Sequence, residues 1–308
     1  MKIVCLDADT LGDIDLSKFN DFGEFVTYGI TSDSQRLERL KDADIVLTNK
    51  VVIDKYIMDN TNLKLICVTA TGTNNIDMEY AKTKGIAVKN VAGYSTNAVV
   101  QQVFASLFYL TNKMRYYDDW VKSGEWIKSP IFTNVSKNVY EINPKRFGII
   151  GLGTIGLQVA MIAKAFGCDV VYYSTSGKNN STEFPSVSLD ALLKTCDIVS
   201  IHCALNDKTK NLIDTNELEK LKDGAIIMNF GRGGIVNETA LSKILDEREI
   251  YAALDVLEKE PMSADSPLMK VKNRDRFVIT PHIAWATYDA RVKLMDLVYK
   301  NIQDFLKA

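Results

Sequence analysis

The sequence contains only two histidines, and both directly follow runs of residues typical of β-strands. His202 follows IVSI, and His282 ends the segment VITPH. Arg232, in NFGRGG, and Glu260, in LEKEP, follow two other predicted strands of the same block. Ligands of parallel α/β sheets bind outside the carboxyl ends of the strands. Arg232, Glu260 and His282 are therefore predicted to meet at one edge of a single sheet.

An arginine, a carboxylate and an imidazole together suit the reduction of a carbonyl that lies next to a carboxylate. Hydride transfer needs a proton donor for the oxygen that becomes negative, and a histidine supplies one near neutral pH. A carboxylate beside the imidazole favours its charged form and orients the ring. The planar guanidinium fits the carboxylate of a 2-oxo acid. The alternative for each lone histidine is a structural role, and only His282 has the neighbours that favour catalysis.

A glycine-rich turn follows the predicted strand RFGII in the segment GLGTIGLQVAMIAKAFG. Its glycines have GxGxxG spacing, which permits a tight turn, close approach of a pyrophosphate, and packing of helix on strand. The N-terminus of the following helix offers unpaired N–H groups to an anion. A strand, DVVYYS, follows at the expected distance, so we predict a dinucleotide site rather than a glycine turn without ligand. Its predicted contacts are Gly151, Gly153, Thr154, Ile155 and Gly156.

The acid that usually binds the adenosine ribose is absent. Ser174 stands at the end of DVVYYS, where an NAD-binding protein usually has Asp or Glu. Without a carboxylate nothing repels a 2′-phosphate, and Ser174, Thr175, Ser176 and Lys178 offer donors to one. No arginine is present in YYSTSGKNN to clamp it. The sequence leaves NAD and NADP open as the cofactor, with a slight preference for NAD.

Short β-branched runs alternate with helical patterns over most of the chain, which predicts an α/β fold with two doubly wound parallel sheets. The first block has the strand candidates KIVCLDA, EFVTYG, ADIVLTN, LKLICVTA and IAVKNV. The second has RFGII, DVVYYS, DIVSIHC, AIIMNF, YAALDV and FVITPH. Long helices are predicted over 95–112 and 287–306. The polar and aromatic segment 114–140 is either irregular or a dimer arm, since aromatic anchors are favoured at interface centres.

The composition excludes several classes of protein. The 308 residues suffice for about two domains, and the formal net charge of −2 gives no basic excess for nucleic acid or an anionic membrane. The five cysteines have no CxxC spacing, which argues against a metal site and fits a reducing, cytoplasmic location. The N-terminus lacks the shape of a signal peptide. The most apolar stretch, 147–163, is short for a membrane span.

The sequence resembles the D-isomer-specific 2-hydroxyacid dehydrogenase family. The matching segments are TGTNNID, GLGTIG, the strand-end His202, NFGRGG, ALDVLEKEP and TPHIAWAT, in the family's order between about residues 70 and 287. Within the family, LDADTLG, TATGTNNID, NVAGYST and HIAWAT are most similar to glycerate dehydrogenases, also called hydroxypyruvate reductases. One departure is Ala204, which stands where relatives often have proline.

The resemblance implies a Rossmann cofactor domain, residues 98–285, inserted into a flavodoxin-like substrate domain, residues 1–97 plus 286–308. It also implies a homodimer built through the cofactor domains. By the same resemblance, Arg232 is the substrate anchor, His282 is the acid/base group and Glu260 is the partner of His282. Backbone N–H groups near Thr71 and Gly72 are implied to hold the substrate carboxylate. The implied cofactor contacts are Thr96, His202, Ala204, Asn229, Gly231 and Asp255. Trp285 either shapes the substrate pocket or is a core aromatic residue.

The implied reaction is hydride transfer between NAD(P)H and a small 2-oxo acid to give the D-2-hydroxy acid. Hydroxypyruvate with D-glycerate is the preferred substrate pair, and D-lactate and glyoxylate remain alternatives. A non-catalytic, dinucleotide-sensing corepressor is a second alternative. A formate dehydrogenase would carry Gln at the Glu260 position. A phosphoglycerate dehydrogenase needs basic groups near Thr71, where the sequence offers only Lys50.

Overall fold

The computed structural model describes residues 1–307, and the chain divides into two compact units. Unit 1 comprises Met1–Ser95 with Trp285–Ala308, and unit 2 comprises Thr96–Ala284. The predicted borders follow residues 97 and 285. They lie two residues and one residue, respectively, after the borders of the structure, which follow residues 95 and 284. No helix within residues 1–307 has both the length and the apolar character that a membrane span requires.

The described residues form eleven strands, and every pairing between them is parallel. Each strand lies within a segment for which the sequence predicts one, and the predicted α/β fold with two parallel sheets is confirmed. The strands are β1 (Lys2–Cys5), β2 (Glu24–Thr27), β3 (Ile45–Thr48), β4 (Leu65–Val68), β5 (Ala87–Lys89), β6 (Arg146–Ile150), β7 (Asp169–Tyr173), β8 (Ile198–Ile201), β9 (Ile226–Asn229), β10 (Tyr251–Leu254) and β11 (Phe277–Ile279).

Helices connect the strands in both units, and short 3₁₀ segments occur in several loops. The two long helices end close to the predicted positions. The helices are α1 (Arg36–Leu40), α2 (Lys55–Asp59), α3 (Met78–Thr83), α4 (Thr96–Thr111), α5 (Met114–Lys122), α6 (Glu125–Lys128), α7 (Thr154–Ala165), α8 (Leu189–Thr195), α9 (Thr215–Glu219), α10 (Glu238–Glu247) and α11 (Tyr288–Leu306).

Unit 1 contains a five-stranded sheet in the order β2-β1-β3-β4-β5. Its central strands β1, β3 and β4 are almost entirely apolar and buried, as parallel strands covered on both faces must be. The C-terminal helix α11 packs against β4, and Thr287 caps it by accepting the Ala290 N–H at 3.3 Å. The C-terminal segment thus returns to complete the unit that the N-terminal segment begins.

Unit 2 contains a six-stranded sheet in the order β11-β10-β9-β8-β6-β7. Strands β6, β8 and β9 lie in its interior, and their residues are mostly fully buried. Two apolar clusters cover the sheet, one containing side chains of α8 and α10, the other containing side chains of α4 and α7. Since all strands are parallel, the loops after them emerge at the same edge.

The segment 114–140 begins with two helices, so the prediction of an irregular segment is wrong for α5 and α6. Ion pairs spaced one helical turn apart stabilise α5, with Arg115–Asp119 at 3.6 Å and Asp118–Lys122 at 2.6 Å. From α6 onward the segment carries exposed apolar side chains, including Ile127 at 90% exposure and Phe132 at 88%. The alternative prediction of an interface arm stays a prediction.

All five cysteines are buried free thiols. Burial raises the pKa of Cys5 and Cys67 to about 12. Burial also raises the pKa of Cys168, Cys196 and Cys203 to about 11. These side chains act as small apolar residues of the core.

Candidate active site

His282 and Glu260 form a direct pair in unit 2. Nδ1 of His282 lies 2.6 Å from Oε2 of Glu260, with 26% and 30% of the two side chains exposed. An ionised carboxylate only accepts hydrogen bonds, so Nδ1 carries the proton and donates. The other carboxylate oxygen, Oε1, accepts the Leu257 N–H at 3.0 Å. The carboxylate therefore orients the ring and leaves Nε2 for chemistry.

Asp255 holds the turn that carries His282. It directly follows β10 and is 2% exposed. Its carboxylate accepts the Thr280 hydroxyl at 2.6 Å and the Ile283 and Ala284 N–H groups at 2.9 and 2.8 Å. Burial raises its pKa, and these hydrogen bonds oppose that rise. His282 has a φ of +53°, unusual for a residue with a side chain, so its position depends on this surrounding network.

Arg232 reaches the same edge from the loop after β9. Asn229 shapes this loop, because its Oδ1 accepts the Gly231 N–H at 3.1 Å and its Nδ2 donates to the Arg232 carbonyl at 2.8 Å. A Cβ on Gly233 would lie 1.8 Å from the Leu257 carbonyl oxygen, so this loop packs directly on the loop of Glu260. The Arg232 side chain is exposed, and its Nη1 donates to the Gly231 carbonyl at 2.8 Å. The structure thus joins the Arg232 loop and the His282–Glu260 pair through backbone packing.

The predicted phosphate cradle has the required geometry. Strand β6 ends at Ile150, and Gly151 follows with a φ of +93°. A Cβ on Gly156 would lie 2.2 Å from the Gly151 carbonyl oxygen, which shows how closely helix packs on turn. Gly153 stands at the N-cap of α7 with no side-chain cap, and a Cβ there would meet nothing within 4 Å. The helix N-terminus, where Thr154 and Ile155 begin α7, is therefore open to an anionic group.

Two buried polar atoms near the neighbouring strand ends lack a hydrogen-bond partner. One is Oγ of Ser174, immediately after β7, and the other is Nδ1 of His202, immediately after β8. Nε2 of His202 pairs with the Ser200 hydroxyl at 2.8 Å, and burial lowers the pKa of His202 to about 3. His202 is therefore neutral near neutral pH. The open helix terminus and these unpartnered atoms fit a hydroxyl-rich, phosphate-bearing ligand such as a dinucleotide.

The other predicted cofactor contacts also belong to unit 2. Thr96 is the buried first residue of α4, and Thr175 follows Ser174 after β7. Ala204 is exposed after β8, and its carbonyl accepts the Thr209 hydroxyl at 2.7 Å. A Cβ on Gly231 would lie 2.8 Å from the Cys203 carbonyl oxygen, so the loops after β8 and β9 are in contact.

The predicted substrate contacts Thr71, Gly72 and Trp285 belong to unit 1. The Thr71 hydroxyl donates to the Val91 carbonyl at 2.9 Å, which ties the TGTNN loop to the segment after β5. The half-buried Trp285 packs edge-on against Tyr94 with ring centres 6.3 Å apart. This contact is compatible with both interpretations of Trp285.

The structure reveals two further acids that the motifs do not indicate. Asp7, after β1, is buried and accepts the backbone N–H groups of Asn49 and Lys50 at 2.9 and 2.7 Å. Glu238 is the first residue of α10, and its carboxylate accepts the N–H of Glu258 at 2.6 Å. Glu258 lies two residues before Glu260. Each acts on a loop distant in sequence. The only hint of Asp7 is the cluster of acids that ends the first strand, and nothing marks Glu238.

The fold and site define an α/β oxidoreductase that uses a nicotinamide dinucleotide. Residues 104–284 match the family model of the D-isomer specific 2-hydroxyacid dehydrogenase, NAD binding domain. A putative 2-hydroxyacid dehydrogenase of Haemophilus influenzae is 37% identical over all of this chain and 98% of its own length. A hydroxypyruvate reductase of Blautia hydrogenotrophica is 36% identical, with 100% and 97% covered. The chain belongs to the D-isomer-specific 2-hydroxyacid dehydrogenase family, which confirms the resemblance.

Solved structures agree with this assignment. An acyclic imino acid reductase (Bsp5) in complex with NADPH and D-arginine has a TM-score of 0.85 and 29% identity, covering 100% of this chain and 97% of its own. A D-lactate dehydrogenase of Aquifex aeolicus, complexed with NAD and lactic acid, has a TM-score of 0.84 and 25% identity, covering 100% and 96%. One of these relatives is solved with NADPH and the other with NAD. The cofactor is therefore a nicotinamide dinucleotide, and both forms occur among these relatives.

Proposed function

We propose that this dehydrogenase reduces hydroxypyruvate to D-glycerate with NAD(P)H. The observation that carries the proposal is the His282–Glu260 pair at 2.6 Å, with the Glu260 loop packed against that of Arg232. The pair supplies a proton donor, and the arginine supplies an anchor for a carboxylate. The hydroxypyruvate reductase among the relatives, together with the LDADTLG and HIAWAT segments, supports this substrate over others.

His282 delivers the proton in this proposal. With Nδ1 bonded to Glu260, protonated Nε2 donates to the keto oxygen as that oxygen gains negative charge. Glu260 keeps the ring oriented and favours the imidazolium. Arg232 and the backbone N–H groups near Thr71 and Gly72 hold the substrate carboxylate, and Trp285 shapes the pocket. When bound, the reduced nicotinamide supplies the hydride.

The cofactor is held by the glycine turn, by the N-terminus of α7 and by the strand-end residues after β7, β8 and β9. NAD is proposed as the preferred form, although the unpartnered Ser174 hydroxyl is equally suited to a ribose or to a 2′-phosphate. The residues proposed to contact it are Gly151, Gly153, Thr154, Ile155, Gly156, Ser174, Thr175, His202, Ala204, Asn229, Gly231, Asp255 and Thr96.

Glyoxylate and D-lactate chemistry are the alternatives within the family, since the same three residues serve any small 2-oxo acid. A non-catalytic, dinucleotide-sensing role is the alternative outside it. The two alternatives differ in turnover, since a sensing protein reduces none of the 2-oxo acids.

We also propose a substrate domain of residues 1–97 plus 286–308, a cofactor domain of residues 98–285, a cytoplasmic location and a homodimer. The exposed apolar side chains of Ile127, Phe132 and Val135 support an interface on the cofactor domain. Light scattering at micromolar concentration is expected to give twice the 34.4 kDa chain mass. A monomeric mass would remove the dimer from the proposal without affecting the reaction.

A substrate and cofactor matrix tests the reaction. Hydroxypyruvate, glyoxylate, pyruvate and phosphohydroxypyruvate are each assayed with NADH and with NADPH by the loss of reduced-cofactor absorbance. The highest kcat/KM is expected for hydroxypyruvate. A higher value for glyoxylate or pyruvate replaces the substrate, and absence of turnover with all four favours the sensing alternative.

A further inference from the structure

Glu238 contacts the loop that carries the catalytic carboxylate. It is half-buried at the first position of α10, and its Oε1 accepts the Glu258 backbone N–H at 2.6 Å. A hydrogen bond from a backbone N–H to an ionised carboxylate is among the stronger neutral–charged contacts in proteins. Asn237 caps α10 by accepting the Thr239 and Ala240 N–H groups, so the base of Glu238 is itself fixed.

The loop from Leu257 to Glu260 is held from three directions. Gly233 packs on the Leu257 carbonyl, the Leu257 N–H donates to Glu260, and Glu238 accepts from Glu258. Of these three contacts, only the one from Glu238 involves a side chain of another element. Removal of its carboxylate therefore frees the middle of the loop while leaving both flanking contacts in place.

The environment of Glu238 is unfavourable for a carboxylate. Burial raises the pKa of Glu238, and the negative charges of Glu258 and Glu260 raise it further, against the Glu258 N–H, which lowers it. The titratable groups that face it are thus Glu258 and Glu260 of the packed loop, with His282 joined through Glu260. A half-buried carboxylate beside two like charges is unfavourable for folding and is an arrangement more typical of functional sites.

We propose that Glu238 is a positioning residue for proton transfer: it fixes the loop that presents Glu260 to His282. This inference rests on the proposed function for its catalytic consequence. Its structural core, the influence of Glu238 on His282, is independent of the substrate.

Two substitutions separate position from charge. Glu238→Ala removes the acceptor and the charge, so we expect kcat for reduction to fall about 10-fold or more with KM changed less than about 2-fold, because misplacement affects the chemical step more than binding. Glu238→Gln keeps an acceptor for the Glu258 N–H, so kcat on the acidic side of the profile should recover to within about 3-fold of wild type.

The matched controls are Glu247→Ala and Glu247→Gln, at the exposed far end of the same helix, where the carboxylate lies 4.0 Å from Lys243. Both should leave kcat unchanged. A lower melting temperature of Glu238→Ala with kcat unchanged would show an effect on helix stability alone, and that result would overturn the inference.

Imidazole NMR supplies a readout that needs no turnover. The chain has two histidines, so the ring signals of His282 are assigned by comparison with a His202→Gln variant. The ring signals of His282 are expected to change in chemical shift in Glu238→Ala and to keep their wild-type positions in Glu238→Gln and Glu247→Ala. Unchanged signals in Glu238→Ala contradict the inference even if the enzyme is active. Changed signals in a protein without reductase activity support the inference and refute the proposed function.

Discussion

The two histidines of this chain occupy equivalent places in the fold and have opposite properties. Each lies at the carboxyl edge of the six-stranded sheet, His202 immediately after β8 and His282 shortly after β11. His282 is bonded to a carboxylate and partly exposed. His202 is bonded to the Ser200 hydroxyl, and burial lowers its pKa to about 3. One ring is arranged to carry a proton, and the other is arranged to stay neutral.

The difference shows that the end of a strand determines where a site lies, whereas the hydrogen-bond partners of each side chain determine its chemistry. His282 lies on a turn whose N–H groups are bound by Asp255, and this turn aims the ring at Glu260. His202 continues directly from its strand, with its N–H donating to the Ile150 carbonyl at 2.8 Å, and its Nδ1 is buried without a hydrogen-bond partner. A neutral imidazole there offers both a donor and an acceptor to a ligand without adding charge.

The largest expected effect comes from removing the imidazole of His282, the proposed proton donor. His282→Ala should lower kcat for reduction by about 10²-fold or more, the usual contribution of a positioned proton donor. His202→Gln, which keeps a polar side chain beside Ser200, should retain far more activity. Steady-state kinetics near neutral pH measure both. Equal losses in the two variants would contradict the distinct roles.

The free energy of unfolding at acidic pH tests whether His202 is held neutral. The folded-state pKa of His202, about 3, lies below the value of about 6.5 for an unfolded chain, so below about pH 6.5 the unfolded state binds the extra proton. The stabilising contribution is thus complete above that pH and is lost as pH falls, by roughly 1.4 kcal/mol per unit for this one group. Denaturant unfolding should show a shallower acid-side decline in His202→Gln than in wild type. Parallel declines would mean that His202 is not held neutral.

Glu260→Gln makes the two histidines more alike, since it leaves His282 with a neutral partner. Activity near neutral pH should fall about 10-fold, with the optimum for reduction displaced to lower pH, because the carboxylate no longer favours the imidazolium. The control is Glu258→Gln, whose side chain is on the same loop and whose backbone N–H, rather than its carboxylate, binds Glu238. A pH optimum unchanged by Glu260→Gln would show that the pair only orients the ring.

The smallest expected effect concerns Ser174, which shares with His202 a buried polar atom lacking a partner. Ser174→Asp should raise the ratio of kcat/KM for NADH to that for NADPH about 5-fold, since a carboxylate binds the ribose hydroxyl and repels a 2′-phosphate. The control is Asn180→Asp, which adds the same charge at an exposed position further along the same loop. An unaltered ratio in Ser174→Asp would show that this position does not contact the ribose.

The sequence predicts the strands well because parallel strands buried on both faces read as β-branched apolar runs. It predicts the long helices to within a residue or two, and the GxGxxG turn through the conformational demands on its glycines. It fails at residues 114–128, where the helical signal is the spacing of Arg115, Asp118, Asp119 and Lys122 rather than an apolar stripe. A pattern of charges one turn apart would have indicated the helix.

The site is predictable in its residue types and less so in its contacts. Arg232, Glu260 and His282 follow from chemistry and resemblance, and the 2.6 Å pair is where they would be expected. The contact of Glu238 with Glu258 joins residues 20 positions apart, and the unpartnered ring nitrogen of His202 depends on packing over the whole strand edge. No local pattern encodes such contacts, because they arise only once helices and strands are assembled.

The reactivity of the five buried cysteines can be used to measure local unfolding of this enzyme. The thiolate is the species that reacts with disulfide reagents, and the raised pKa of each thiol keeps that species scarce while burial blocks access. Cys5 and Cys67 belong to one unit and Cys168, Cys196 and Cys203 to the other. The rate at which each is labelled by a chromogenic reagent therefore records how often its own unit unfolds locally, without any probe being introduced.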